Sequence, residues 1–159
     1  MLLAVLTVSD RCSQGLMADT AGPAVVALAR RQWPQAEIWT GLVADDEDTI
    51  AATLEKLSVE GAALILTVGG TGLGPRDRTP EATRRVIDRE APGVAEAMRS
   101  LGAQSNPSAW LSRGVAGLRG STLIVNLPGS QRGAEESLIS ILPLLAHGIE
   151  VAGGGQSHP

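Results

Sequence analysis

The chain has 159 residues, a formal net charge of −4, 43% hydrophobic and 19% charged residues, a profile that suits one globular domain. A domain of this size buries roughly 70% of its unfolded surface, so disulfides and structural metals are not required, and Cys12, the single cysteine, excludes an intramolecular disulfide. The acidic balance argues against a nucleic-acid binder, and Trp33, Trp39 and Trp110, the only aromatics, offer little for stacking bases. An anionic small molecule is still possible through a local basic patch. Nearly all the positive charge is Arg, with Lys56 the only Lys; Arg suits phosphate, although a nucleotide composition bias would produce the same preference. His147 and His158 lie far apart, so a His/Cys metal site is not expected.

In chain order, Leu2 to Val8 is a nearly unbroken apolar run and predicts a strand buried on both faces, rather than a signal peptide. Asp19 to Gln32 predicts a helix with Pro23 in its first turn. Glu37 to Val43 is a more mixed strand, placed nearer a sheet edge. Asp46 to Ser58 is a helix with an acidic start and one face formed by Ile50, Leu54 and Leu57. Ala62 to Val68 is a second buried strand. A helix starts at Pro80, with Thr79 as its N-cap, and ends near Arg89. Gly93 to Leu101 is a shorter helix, and Gln104 to Ser108 a surface loop. Thr122 to Leu127 is a further strand, and Gly114 to Leu118 is expected to pair with Thr122 to Asn126 across a turn at Arg119-Gly120-Ser121. The last helix spans Gly133 to Leu145. No run is long enough to cross a membrane. Alternating strands and helices imply an α/β domain over residues 1–150, a mostly parallel sheet covered on both faces with a small β-hairpin, followed by a disordered tail over 151–159.

Ligands of such sheets bind at the carboxyl ends of the strands, and the unusual residues of this chain fall there. Ser9-Asp10-Arg11 follows the first strand, Asp45-Asp46 the second, Gly69-Gly70-Thr71-Gly72 through Arg76-Asp77-Arg78-Thr79 the third, and Pro128-Gly129-Ser130 the last. In a parallel sheet these loops share one rim. Gly69, Gly70 and Gly72 let backbone N–H groups turn toward a ligand as an anion nest. Arg76 and Arg78 add charge, and a helix N-terminus follows at Pro80. The loop is not a Walker A motif, because Lys56 lies elsewhere, and not a dinucleotide fingerprint, because Pro75 stands where Gly is needed.

Asp45 and Asp77 are the carboxylates singled out. Two carboxylates beside phosphates suit Mg²⁺; equally, Asp45 could be a cap in an acidic run and Asp77 an ion-pair partner of Arg76 or Arg78. Cys12 has no evident neighbouring base and reads as a small structural residue.

Thr7-Val8-Ser9-Asp10-Arg11, Gly69-Gly70-Thr71-Gly72 through Thr83, Leu111-Ser112-Arg113 and Gly120-Ser121 through Ser130 together resemble the MogA/MoaB-type molybdenum-cofactor proteins, including the G domains of plant and animal two-domain homologues. The resemblance covers nearly the whole chain, Leu3 to about Leu145. It implies the molybdenum-cofactor-binding fold, usually a homotrimer, and a cytoplasmic enzyme that uses ATP and Mg²⁺ to adenylylate molybdopterin with release of pyrophosphate. It further implies catalytic roles for Asp45 and Asp77, and molybdopterin contacts from Ser112 and Asn126. Ser9, Asp10, Gly69, Gly70, Thr71, Gly72, Arg76, Pro128, Gly129 and Ser130 would line the pocket. A partner protein that inserts molybdenum is a further possibility. The chain ends soon after its last helix, so a function carried by a C-terminal extension is not expected. Two other readings stay open: a non-catalytic molybdopterin-binding or carrier protein of the MoaB type, and a nucleotide-processing domain like that of competence-damage proteins. Retention of both carboxylates favours the enzyme.

Overall fold

The computed structural model describes residues 1–155. Along the chain run β1 (Leu2–Val8), α1 (Asp10–Ser13), α2 (Ala21–Gln32), β2 (Glu37–Val43), α3 (Glu47–Val59), β3 (Ala62–Val68), α4 (Thr79–Val86), β4 (Arg89–Glu90) and α5 (Pro92–Ser105). A 3₁₀ turn (Pro107–Leu111), β5 (Ala116–Arg119), β6 (Thr122–Leu127) and α6 (Gln131–Ala152) complete it. The sheet order is β2-β1-β3-β6-β5-β4. β2, β1, β3 and β6 are parallel; β5 runs antiparallel to β6, and β4 to β5.

Alternation along the apolar strands divides the core between the two faces. Leu3 and Val5 of β1, Leu64 and Leu66 of β3, and Val125 of β6 pack with α2, α5 and α6. Ala4, Leu6, Ile65 and Ile124 face the other way, against Ile50, Leu54 and Leu57 of α3 and Ala82 and Val86 of α4. Strands that are apolar on both faces require helices on both, hence the three layers. β2, whose sequence is mixed, occupies the edge and is half-buried. All four parallel strands end on the same side, which puts the polar loops of the sequence together.

Several boundaries differ from the sequence expectation, each for a local reason. Thr79 is not the N-cap of α4. Its hydroxyl donates to the Gly69 carbonyl at 2.9 Å and its amide to the Gly70 carbonyl at 3.1 Å, and Arg78 takes the cap position without a side-chain bond. α4 stops at Val86, because Ile87 turns extended and the chain joins the sheet as β4, with the Asp88 amide donating to the Leu118 carbonyl. α5 continues to Ser105, so the predicted loop 104–108 is partly helix and partly 3₁₀ turn, capped where the Ser108 amide donates to Asn106 Oδ1. α6 starts at Gln131 and reaches Ala152, passing through Pro143. That proline is exposed, so the missing amide bond falls on the solvent side. Val151 and Ala152, assigned by sequence to the tail, are therefore helical; positions 156–159 lie outside the described residues. No helix among the described residues is long and apolar enough to cross a membrane.

Candidate active site

At the ends of β1 and β2, two aspartates cross-brace the chain. The Asp10 amide donates to Asp45 Oδ2 at 2.8 Å, and the Asp45 amide donates to Asp10 Oδ1 at 3.0 Å. Arg76 reaches over from the glycine loop, its Nε donating to Asp10 Oδ2 and a terminal nitrogen to Asp10 Oδ1, both at 3.0 Å. The Arg76 bonds, and then the Asp45 amide, hold the Asp10 carboxyl below the ordinary carboxylate range. Asp45 moves the other way. Burial pushes its carboxyl up, and the charges of Asp10 and Asp77 add to that, against the Asp10 amide bond. Asp45 is thus the carboxylate of the rim that is short of positive charge.

The glycine loop follows β3. Gly69 has φ +107° and Gly70 φ +66°, backbone that favours glycine. A Cβ on Gly69 would meet the Val8 carbonyl at 2.3 Å, and one on Gly70 would meet the Thr79 hydroxyl at 2.2 Å and Asp45 Oδ1 at 3.1 Å. Only bare backbone lets this loop lie against the β1 terminus and Asp45. The amides of Gly70, Thr71 and Gly72 donate to no protein acceptor among the described residues. They are free for an anion. Asp77 closes the turn: the Gly74 amide donates to its Oδ2 at 2.9 Å, and its own amide donates to the Gly74 carbonyl at 3.0 Å. Beyond β6, Ser130 caps α6 by accepting from the Gly133 amide at 3.1 Å, so the N-terminus of the 22-residue α6 opens onto the same rim.

These pieces enclose two adjoining cavities. The larger, about 850 Å³, is bounded by the Ser9–Cys12 segment, the start of α2, Asp45 and Gly69. The smaller, about 360 Å³, lies between the glycine loop, Ser112, the 3₁₀ turn and the start of α6. Gly70, Asp77, Gly129 and Ser130 line both. Each cavity falls in the range of small-molecule sites.

Of the residues chosen from sequence, Ser9, Asp10, Asp45 and Gly69 face the larger cavity, and Thr71, Gly72, Ser112 and Pro128 the smaller. Arg76 and Asn126 line neither of the two. Arg76 is engaged by Asp10, with its side chain 66% exposed. Asn126 is 0% exposed. Its Nδ2 donates to the hydroxyls of Thr67 and Thr83 at 3.0 and 2.9 Å, and its Oδ1 accepts from the Val115 amide at 3.1 Å. These bonds tie β3, α4 and the residue before β5 to β6. Arg78, expected to offer mobile charge, is likewise held by Glu47 of α3 at 2.6 Å.

Sequence reasoning missed three contributors. Arg11 is the arginine lining the larger cavity; its place directly after Ser9-Asp10 was the available signal. Asp19 accepts from the Thr7 hydroxyl at 2.6 Å and the Gly22 amide at 2.9 Å, fixing the start of α2 at the cavity wall. Arg113 donates from its amide to the Thr71 carbonyl at 2.9 Å, from Nε to the Gly72 carbonyl at 2.8 Å, and from its terminal nitrogens to the Asp77 carbonyl and Glu81. Nothing in local spacing joins position 113 to position 77.

Mg²⁺, which the resemblance implies, can be tested against these donors. Asp45 Oδ1 and Asp77 Oδ1 accept no protein hydrogen bond among the described residues, which leaves both oxygens able to meet a cation or its waters. No group of three or more His, Cys, Asp or Glu that could hold a metal occurs among the described residues. A Mg²⁺ here would have Asp45 and Asp77 as its carboxylates and would complete its shell with water and substrate phosphate.

The fold and rim define the class: an open α/β protein with a two-chambered ligand cleft at the carboxyl ends of its parallel strands. The family described as "Probable molybdopterin binding domain" matches residues 4–147. The chain is 37% identical over 151 residues to the molybdopterin adenylyltransferase of Helicobacter pylori strain 26695, covering 94% of this chain and 86% of that protein. It is 39% identical over 150 residues to the molybdenum cofactor synthesis protein cinnamon of Drosophila melanogaster, covering 94% of this chain but only 25% of that protein. The structure of the molybdopterin biosynthesis enzyme MoaB from Thermus thermophilus superposes with a TM-score of 0.87 at 48% identity, covering 96% of each chain. The chain belongs to the molybdopterin-binding domain family of MogA/MoaB type.

Proposed function

We propose that this chain is a molybdopterin adenylyltransferase, transferring AMP from ATP to the terminal phosphate of molybdopterin with release of pyrophosphate. The observation that carries the reading is the meeting of two cavities at Gly70, Asp77, Gly129 and Ser130. Two cavities that share one wall can seat two substrates with their reacting groups side by side. Similarity to adenylyltransferases over most of the chain supports it.

Molybdopterin is assigned to the smaller cavity, where Ser112 lies, and the nucleotide to the larger, beside Asp45 and Arg11. The nucleophile is the molybdopterin phosphate, attacking the α-phosphorus of ATP, so no protein nucleophile is needed. Cys12 lines the larger cavity but is buried, and no His lines either cavity among the described residues. Catalysis then rests on positioning and charge compensation. The free amides of Gly70 to Gly72 and the α6 N-terminus hold phosphate oxygens at the junction. Arg11 meets the nucleotide phosphates. Asp45 and Asp77 would hold Mg²⁺ or its waters, and Mg²⁺ would supply charge neutralisation for the phosphates. The same reading includes a homotrimer in the cytoplasm and hand-over of the product to a molybdenum-insertion partner.

The test is pyrophosphate release from ATP with and without molybdopterin. Release that requires molybdopterin supports the transferase. Molybdopterin binding with no release supports the carrier reading, and hydrolysis of a nucleotide pyrophosphate without pterin supports the nucleotide-processing reading.

A further inference from the structure

Asp77 sits at the junction of the two cavities, at the end of the turn that begins at Gly72. Its carboxylate leans on glycines: a Cβ on Gly72 or Gly74 would lie 2.9 or 2.7 Å from Asp77 Oδ2. Within the turn Asp77 bonds only Gly74, and Arg76 reaches outward to Asp10, so neither side chain joins the Gly72 end to the Asp77 end, and a displacement of about 1 Å at a reacting centre can cost roughly 100-fold in rate. Something outside the turn must fix it.

We propose that Arg113 is the positioning residue for Asp77, its guanidinium bracing the Gly72–Asp77 turn at both ends. Nε donates to the Gly72 carbonyl at 2.8 Å, where the turn begins, and a terminal nitrogen donates to the Asp77 carbonyl, where it ends. The Arg113 amide adds a bond to the Thr71 carbonyl at 2.9 Å. The other terminal nitrogen pairs with Glu81 of α4, which offsets the guanidinium charge, while the bonds to the turn itself go to the two carbonyls. Arg113 therefore acts through geometry and is not a ligand for substrate phosphate. On the far side, Arg99 of α5 donates to the Ser112 and Gly114 carbonyls at 3.2 and 2.9 Å, steadying the segment from which Arg113 projects. Lys cannot replace the guanidinium, because one ammonium on a flexible stem lacks the rigid fork that spans two carbonyls.

The inference rests on the catalytic reading of Asp77, and its test separates the two. In the full-length protein, Arg113→Lys is compared with Glu81→Gln, which removes the ion pair but leaves both carbonyl bonds. Expected for Arg113→Lys is a kcat lower by about 10- to 100-fold, with KM for ATP and molybdopterin within about 3-fold. Glu81→Gln, at a similar loss of thermal stability, keeps kcat within about 3-fold. The second readout needs no turnover: the Gly74 amide, bonded to the Asp77 carboxylate, is followed by ¹H–¹⁵N NMR with Mn²⁺ binding by EPR. Arg113→Lys moves that amide and weakens Mn²⁺ binding, and Glu81→Gln does neither. If both variants lose kcat in proportion to stability, or Arg113→Lys leaves the Gly74 amide and Mn²⁺ binding unchanged, the brace is refuted. A wild type that releases no pyrophosphate refutes the transferase reading alone, since the amide and Mn²⁺ comparison still decides the role of Arg113.

Discussion

The two catalytic candidates are built in opposite ways. Asp45 stands at the end of an edge strand, its carboxylate tied to the neighbouring strand by the Asp10 amide and pushed toward neutrality by burial and by two other aspartates. Asp77 stands in a glycine-rich turn held by long-range bonds from Arg113. One is strained by its electrostatic surroundings and fixed by sheet geometry; the other depends on a brace formed by a residue 36 positions further along the chain. A carboxylate raised by burial and by neighbouring aspartates is a candidate functional group on grounds that sequence spacing does not supply.

That contrast can be broken at several points. Asp77→Ala should lower turnover by about 100-fold or more while molybdopterin affinity stays within a few-fold, as seen by single-turnover pyrophosphate release beside a binding titration; parallel losses would assign Asp77 to pterin binding. Asn126→Ala should destabilise the fold by roughly 2–3 kcal/mol, because it strands the Thr67 and Thr83 hydroxyls and the Val115 amide in the core. Chemical denaturation measures this, and a stable variant with lost pterin affinity would restore Asn126 to the site. Asp45→Asn should lower turnover and yet raise the melting temperature at neutral pH without divalent cations. The sign follows from the raised Asp45 carboxyl: stability tied to its protonated form is lost as pH rises through the folded pKa. The gain from Asn therefore grows as pH rises above the ordinary carboxylate value and disappears below it, which a set of melting curves across pH would show. Arg76→Ala should have the smallest effect, because the pair is exposed and screened by solvent. Asp10, held low by Arg76, contributes stability above its ordinary pKa that fades as pH falls through the folded value. The difference between wild type and Arg76→Ala should then vanish in strong acid.

Much of the fold was legible because the four parallel strands announce themselves, whereas β4, two polar residues long, does not. The apolar runs Leu2–Val8 and Ala62–Val68 predict their own boundaries to the residue, and the mixed Glu37–Val43 predicts its place at the edge. The rim followed from topology, since parallel strands must end together. What was not legible depended on tertiary bonds. Thr79 looks like a cap and becomes a latch on the glycine loop, because the Gly69 carbonyl lies within reach of its hydroxyl. Asn126 looks like a rim residue, yet β6 buries its last positions and the side chain turns inward to hydroxyls on β3 and α4. Arg76 and Arg78 look like free cations until Asp10 and Glu47 claim them. Charged residues in loops advertise chemistry, but their partners are decided by distant segments that local pattern does not join.

The most direct test of the central claim is the structure of the protein with adenylylated molybdopterin bound. The account predicts the phosphoanhydride at the junction beside Asp77 and Ser130, with the adenylyl half in the chamber of Asp45 and Arg11 and the pterin half in the chamber of Ser112. A product confined to one chamber, or bound away from Asp77, would contradict it.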